Sequence, residues 1–345
     1  MVPLIGDSSF IKACYGKNEG RLPVWVMRQA GRYLAEYRAV RKNVSFLELC
    51  KTPELVAKVT TDPVNKFGFD AAILFSDILP ILEPMGFTVT YESGGPTVAP
   101  AIRRPEMVNE LSAYDVRDKM SYVFEGVRAI KKRIPDVPLL GFAGSPFTLA
   151  CYAIEGHGSK TFDSVKQFMY CHPKESAQLL EAITEVTIVY LQEQVKAGAD
   201  AVQLFDSWSG ILAVNEYREW SLVYSEKIFK ALKSLSVPRI LFVNNVSPYI
   251  HLLRDIDCEV IGVDYRMDLE LAMNELPGKA VQGNLDPNIL YCPQAEIRER
   301  VRAMLGNLTR LDNVIVNLGH GILPDIPEES VATFVDEVHA FRREV

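Results

Sequence analysis

The chain has no long hydrophobic run, no paired cysteines and no histidine cluster, and each absence removes a class of protein. No apolar stretch among its 345 residues approaches the ~20 needed to cross a bilayer. The start, Met1 to Lys17, has no charged segment followed by an apolar core, so a secretory leader is not expected. Cys14, Cys50, Cys151, Cys171, Cys258 and Cys292 are scattered without a C-x-x-C pair. That spacing speaks against a zinc ribbon or redox pair and fits thiols in a reducing cytoplasm. His157, His172, His251, His320 and His339 form neither H-x-x-x-H nor H-x-C, so metal binding is not expected. No internal repeat or low-complexity segment is visible, and a formal net charge of −7 argues against a nucleic-acid coat.

What is present begins with Trp25-Val26-Met27-Arg28-Gln29-Ala30-Gly31-Arg32-Tyr33-Leu34, followed by Arg38 and Arg41. From Lys17 to Lys42 there are seven Lys/Arg and two Glu, a local surplus of +5 on an acidic chain. An apolar run that ends in arginines reads as a strand whose tip delivers charge to a site. Guanidinium forks grip carboxylate or phosphate bidentately, so the cluster suits a multiply charged anion. A solvated basic helix paired with local Glu is the other reading. Arg28 and Arg32 stand four apart, so a helical turn there would put them on one face.

The rest repeats one pattern: a short apolar run, a polar tip, a helical stretch. The runs are Val24–Met27, Asp70–Phe75, Pro138–Phe142, Ala199–Phe205, Pro238–Val243, Glu259–Val263, Lys279–Gln282 and Asn313–Asn317. Helices are expected at about 53–66, near 115–133 and from about 160 to 196. Eight strands alternating with helices predict an α/β fold, a single-domain (β/α)8 TIM barrel over residues 1–345, with 1–20 as an N-terminal extension. An open doubly wound sheet is the competing architecture. Residues 78–114, rich in Pro and Gly and with Thr88-Val89-Thr90-Tyr91 alternating like a hairpin, read as an elaborated loop after strand 2. Residues 150–175 read as a second, after strand 3, with Glu155 to Ser159 as a flexible tip.

A barrel of this kind builds its site at the C-terminal ends of the strands. Those tips offer Arg28, Gln29 and Arg32; Ser76 and Asp77; Gly144-Ser145-Pro146 leading to Tyr152; Asp206, Ser207 and Trp208; Asn244-Asn245; Asp264-Tyr265; Asn284 and Asp286; and Gly319-His320-Gly321. No lysine stands among them for a Schiff base, which weakens an aldolase reading. Asp77, flanked by apolar residues, is either a helix N-cap or a site anion that needs N–H or cationic partners. His320 is a site or a turn histidine, and its two glycines imply that something approaches the backbone closely.

Several of these motifs together resemble the signatures of the uroporphyrinogen decarboxylase family. They are Val26–Leu34, Ile73–Leu79, Gly141–Leu149, Gln282–Pro287 and Asn317–Gly321, which span nearly the whole chain. The resemblance implies a cytosolic, homodimeric (β/α)8 barrel enzyme that needs no cofactor and binds neither nucleic acid nor membrane. It carries the family's functional positions onto Arg28, Gln29, Ala30, Gly31, Arg32, Asp77, Tyr152, Ser207 and His320, with Arg41 and Phe46 matching a further substrate-facing pair. Ala35 departs from the usual proline, and Val243-Asn244-Asn245 stands where many members differ. The implied substrate is uroporphyrinogen, with four pyrrole N–H groups and eight carboxylates. Arg28, Arg32 and Arg41 would hold the rim carboxylates and Asp77 the central N–H groups, while Tyr152, Ser207 and His320 would hydrogen-bond carboxylates or position the acid. A cobalamin-linked methyltransferase would instead need a His-x-Cys zinc ligand pair, and a tetrapyrrole carrier would bind without releasing CO₂.

Overall fold

The computed structural model describes residues 5–92, 95–111 and 115–342. Residues 1–4 of the extension, residues 93–94 and 112–114 of the loop after strand 2, and 343–345 at the end of the span lie outside them.

Runs of Val, Ile, Leu and Phe buried on both faces are what a parallel sheet covered by helices requires. They form β1 (Ala72–Ile73), β4 (Leu139–Gly144), β5 (Ala201–Asp206), β6 (Arg239–Val243), β7 (Val260–Val263), β8 (Ala280–Leu285) and β9 (Val314–Leu318), parallel and in the order β1-β4-β5-β6-β7-β8-β9. The first expected strand, Val24–Met27, is not a regular strand. Val24 makes a single parallel bridge to Val316, Trp25 N–H donates to Val316 C=O (3.2 Å), and Asp70 N–H donates to Val24 C=O (2.9 Å). These contacts seat it between β9 and the approach to β1, as the eighth stave. Where the ladder thins, a carboxylate supplies the acceptor: Val24 N–H donates to Asp70 Oδ2 (2.9 Å), which His339 Nε2 also meets at 2.8 Å.

The second strand is two residues rather than six because its tip turns aside. Leu74 N–H still donates to Leu140 C=O, but Phe75 N–H donates to Thr60 Oγ1 (3.1 Å) on the Pro53–Phe67 helix. The interior is packed, with a polar chain across it. Trp25 Nε1 donates to Gln282 Oε1 (3.0 Å), and Gln282 Nε2 donates to Gln203 Oε1 (2.9 Å). Gly141 serves packing: a Cβ there would stand 2.4 Å from Gln194 Oε1, which accepts from Phe142 N–H.

The loop after the second strand contains a hairpin, β2 (Thr88–Glu92) against β3 (Gly95–Ala99). The stretch expected as a loop over 150–175 is mostly helical, Pro146–Glu155 and Asp163–Cys171, because Ser145 caps the first helix and Pro146 sits at its first position. The expected helix between β6 and β7 is replaced by a short 3₁₀ turn, Ile250–Leu253. Within the N-terminal extension the Ser9–Cys14 helix buries Phe10, Ile11, Ala13 and Cys14.

Candidate active site

The arginine motif does not form a helix at its start. Gln29 N–H donates to Val26 C=O (3.1 Å), closing a turn in which Arg28 has φ +64°. A side chain held in the left-handed region costs about 1–3 kcal/mol, so this turn stores strain where a charge is presented. The regular helix begins at Ala35 (Ala35–Arg41), and Arg28 and Arg32 therefore do not share a helical face. Arg28 lies across the β9 tip: a Cβ on Gly321 would stand 2.5 Å from Arg28 Cδ. Gly319 is bare for Tyr265, whose backbone nitrogen would be 2.2 Å from a Cβ there.

Arg32 instead lines a cleft of about 750 Å³ with Tyr37, Arg38, Arg41, Lys42, Phe46 and Tyr91. Arg41 donates from Nη1 to Val44 C=O and sits 6.0 Å over the Phe46 ring. Arg38 is committed to the backbone, donating to Arg32 and Tyr33 carbonyls (2.8 and 2.6 Å). Gln29 is fully buried: its Nε2 donates to Ala71 C=O (3.3 Å) and its Oε1 accepts from Val26 N–H (3.4 Å). Its side chain braces the turn from inside the wall. Ala30 and Gly31 are half-buried beside it, and a Cβ on Gly31 would press on Arg28 C=O at 2.9 Å.

Asp77 follows the bend at Phe75. Its Oδ1 accepts from Leu79 N–H (2.9 Å), an Asx turn rather than a helix cap, since the following 3₁₀ turn has no side-chain cap. Burial pushes the Asp77 carboxyl above the ordinary aspartate range, opposed by the Leu79 N–H, by Tyr91 and by the Arg28 charge. The Arg28 charge also bears on Tyr152 and His320, which puts these four side chains at one end of the barrel. Tyr152 is 9% exposed, with its ring 6.3 Å from Trp208 and 6.4 Å from Phe162.

Ser207 is placed by its backbone. Its N–H donates to Thr148 Oγ1 (3.0 Å) and its carbonyl accepts from Asn244 Nδ2 (3.3 Å). Thus Asn244 props the neighbouring tip, while Asn245 takes φ +58°, which asparagine tolerates. Among the described residues, no three His, Cys, Asp or Glu side chains group as metal ligands would.

The sequence profile of the uroporphyrinogen decarboxylase (URO-D) family matches residues 6–341. The chain belongs to the uroporphyrinogen decarboxylase family. A uroporphyrinogen decarboxylase from Pelobacter propionicus is 45% identical over 339 residues, covering 98% of this chain and 99% of that one. Another from Syntrophotalea carbinolica is 45% identical over 335 residues, covering 96% and 97%. Among solved structures, a methyltransferase from Methanosarcina mazei superposes with a TM-score of 0.81 at 21% identity, covering 96% of this chain and 97% of that one. At that identity the likeness concerns the fold alone.

Two parts of this decarboxylase-family site escaped the sequence reading. Tyr91, on β2, turns its buried hydroxyl toward the Asp77 carboxyl and packs on Phe46 (4.6 Å between ring centroids). The Thr-Val-Thr-Tyr alternation marked the hairpin, but not which residue it turns inward. Asp206, named only as a strand tip, is fully buried and accepts from Ser145 Oγ (2.7 Å), Ser221 Oγ (2.6 Å) and Thr148 Oγ1 (3.3 Å). It ties together the elements that carry Tyr152 and Ser207, and burial raises its carboxyl.

His320 yields a pH prediction. Burial first, then the Arg28 charge, lowers its imidazole below the ordinary range, so it is neutral at pH 7. The unfolded imidazole takes its proton near ~6.5, so protons favour the unfolded chain as pH falls from there through the lower folded value. Thermal melts at pH 7.5 and 5.5 are expected to show a larger loss for the wild type than for His320→Gln. Equal losses would mean that His320 protonates as freely in the fold as in the open chain.

Proposed function

We propose that the chain removes CO₂ from the four acetate side chains of uroporphyrinogen III, leaving methyl groups and giving coproporphyrinogen III without a cofactor. The observation that carries this is Asp77: a half-buried carboxylate at the barrel mouth, one oxygen held by Leu79 N–H, subject to the Arg28 charge. Beyond the Leu79 N–H and Tyr91, its oxygens have lone pairs left for the four pyrrole N–H groups. Arg28 and Arg32 point to separate regions, the mouth and the cleft, which suits carboxylates spread around a wide rim.

Loss of CO₂ from an acetate needs an electron sink. Protonating the pyrrole α-carbon makes the ring that sink, and the electrons of the breaking C–C bond neutralise its positive charge. A proton then reaches the exocyclic carbon, the ring carbon gives its own back, and each turn consumes one proton per CO₂. Asp77, preorganised in a poorly solvated site, stabilises the cation. Tyr152, Ser207 and His320 orient the reacting acetate. We also read the chain as one domain over residues 1–345, acting in the cytoplasm as a homodimer; the support for this is family membership and, among the described residues, no helix long and apolar enough to cross a membrane.

Anaerobic incubation with uroporphyrinogen, followed by oxidation and chromatography, tests the reading. The expected product is the tetracarboxylate with stoichiometric CO₂. Octacarboxylate that is bound yet recovered unchanged would instead make the chain a carrier.

A further inference from the structure

The tip of β7 carries a cation that none of the motifs above includes. Asp264 is fully buried there. Its Oδ1 accepts from Arg266 backbone N–H (3.1 Å) and from Arg266 Nη1 (3.0 Å), and its Oδ2 accepts from Val246 N–H (2.9 Å). The guanidinium also lies 4.4 Å over the Tyr265 ring. The Arg266 side chain is nevertheless 47% exposed, and its Nε and Nη2 donate to no protein acceptor among the described residues. Because the Tyr265 backbone is pressed against Gly319, this cation stands next to the β9 tip. His320 is accordingly subject to the charges of both Arg28 and Arg266.

A purely structural ion pair would be explained if the guanidinium held the 264–267 turn together. Other bonds already do so. Asn284 Nδ2 donates to Asp264 C=O (2.9 Å) and Met267 C=O (2.6 Å), and Met267 N–H donates to Asp264 C=O (3.2 Å). The fork is thus oriented by a carboxylate on one edge and an aromatic face below, with its other edge exposed. An arginine held this way has surrendered most of its rotamer freedom before any anion arrives.

We propose that the open edge of Arg266 binds a peripheral carboxylate of the substrate, on the opposite side of His320 from Arg28. The inference rests on the function proposed above and adds a second anchoring point at the mouth. Two guanidiniums straddling the histidine would resist rotation of the macrocycle over Asp77, so that one acetate at a time faces the aspartate.

The test compares the wild type with Arg266→Gln and Arg266→Lys by anaerobic equilibrium binding of uroporphyrinogen and by turnover, with a thermal melt for each. Arg266→Gln is expected to raise Kd and KM about tenfold with kcat within about twofold, and Arg266→Lys to recover part of the loss. Unchanged Kd in the Gln variant overturns the proposal, whether or not its Tm falls. So does a loss confined to kcat. A wild type that binds uroporphyrinogen but releases no CO₂ would sink the decarboxylase reading while leaving the Arg266 binding measurement to stand or fall by itself.

Discussion

Asp77→Asn is expected to lower kcat about 10²–10³-fold, the usual cost of removing one preorganised group from a developing charge. Amide and carboxylate have nearly the same shape, and the amide oxygen keeps the bond from Leu79 N–H, the backbone contact Asp77 makes in the fold. What disappears is the negative charge, in a place where burial already raises the carboxyl and little else would stabilise a cation. Tm should therefore move little, or rise, because the variant no longer buries an ionisable group. Single-turnover decarboxylation of uroporphyrinogen separates this loss from product release. Turnover within a few-fold of the wild type would remove the aspartate from the chemistry and leave it as a turn residue.

Arg28→Ala is the second large effect: kcat/KM is expected to fall about 10²-fold, in line with a lost charge-assisted hydrogen bond worth about 1.5–3 kcal/mol. The fold offers a way to ask the same question without touching the arginine. Gly321→Ala places a methyl 2.5 Å from Arg28 Cδ and 2.7 Å from Nε, so the middle of that side chain must move. A roughly tenfold loss in kcat/KM is expected from Gly321→Ala alone. Since it acts through Arg28, the double variant should lose no more than Arg28→Ala does, whereas independent effects would multiply. Multiplied losses would show that the glycine serves something other than the guanidinium.

The arrangement of these residues was only partly readable along the chain. Each of the eight staves corresponds to an apolar run, because strands buried on both faces need continuous apolar side chains. Boundaries were less readable at the first two staves, where Val24 leans on the Asp70 carboxylate and Phe75 on the Thr60 hydroxyl instead of a neighbouring strand. Side-chain acceptors of that kind leave no period in a sequence. The arginines illustrate the same limit. Four-residue spacing suggested one face, yet the positive φ at Arg28 and the late helix start at Ala35 send Arg28 over Gly321 and Arg32 into the cleft. Tyr91 and Arg266 were invisible for a related reason: each acquires its meaning from a residue on another element, Asp77 in one case and His320 in the other.

By itself the sequence determined the barrel class and the tips from which a site could be built, since hydrophobic periodicity and local turn chemistry are properties of neighbouring residues. It also carried the family, through motifs whose residue types are dictated one position at a time. Tertiary structure alone decided which tips converge, that Gln29 braces a wall, that Asp206 binds three hydroxyls, and that the Arg28 charge bears on Asp77. Those outcomes depend on distance and solvation between residues remote in the chain, and neither quantity exists until the barrel has closed.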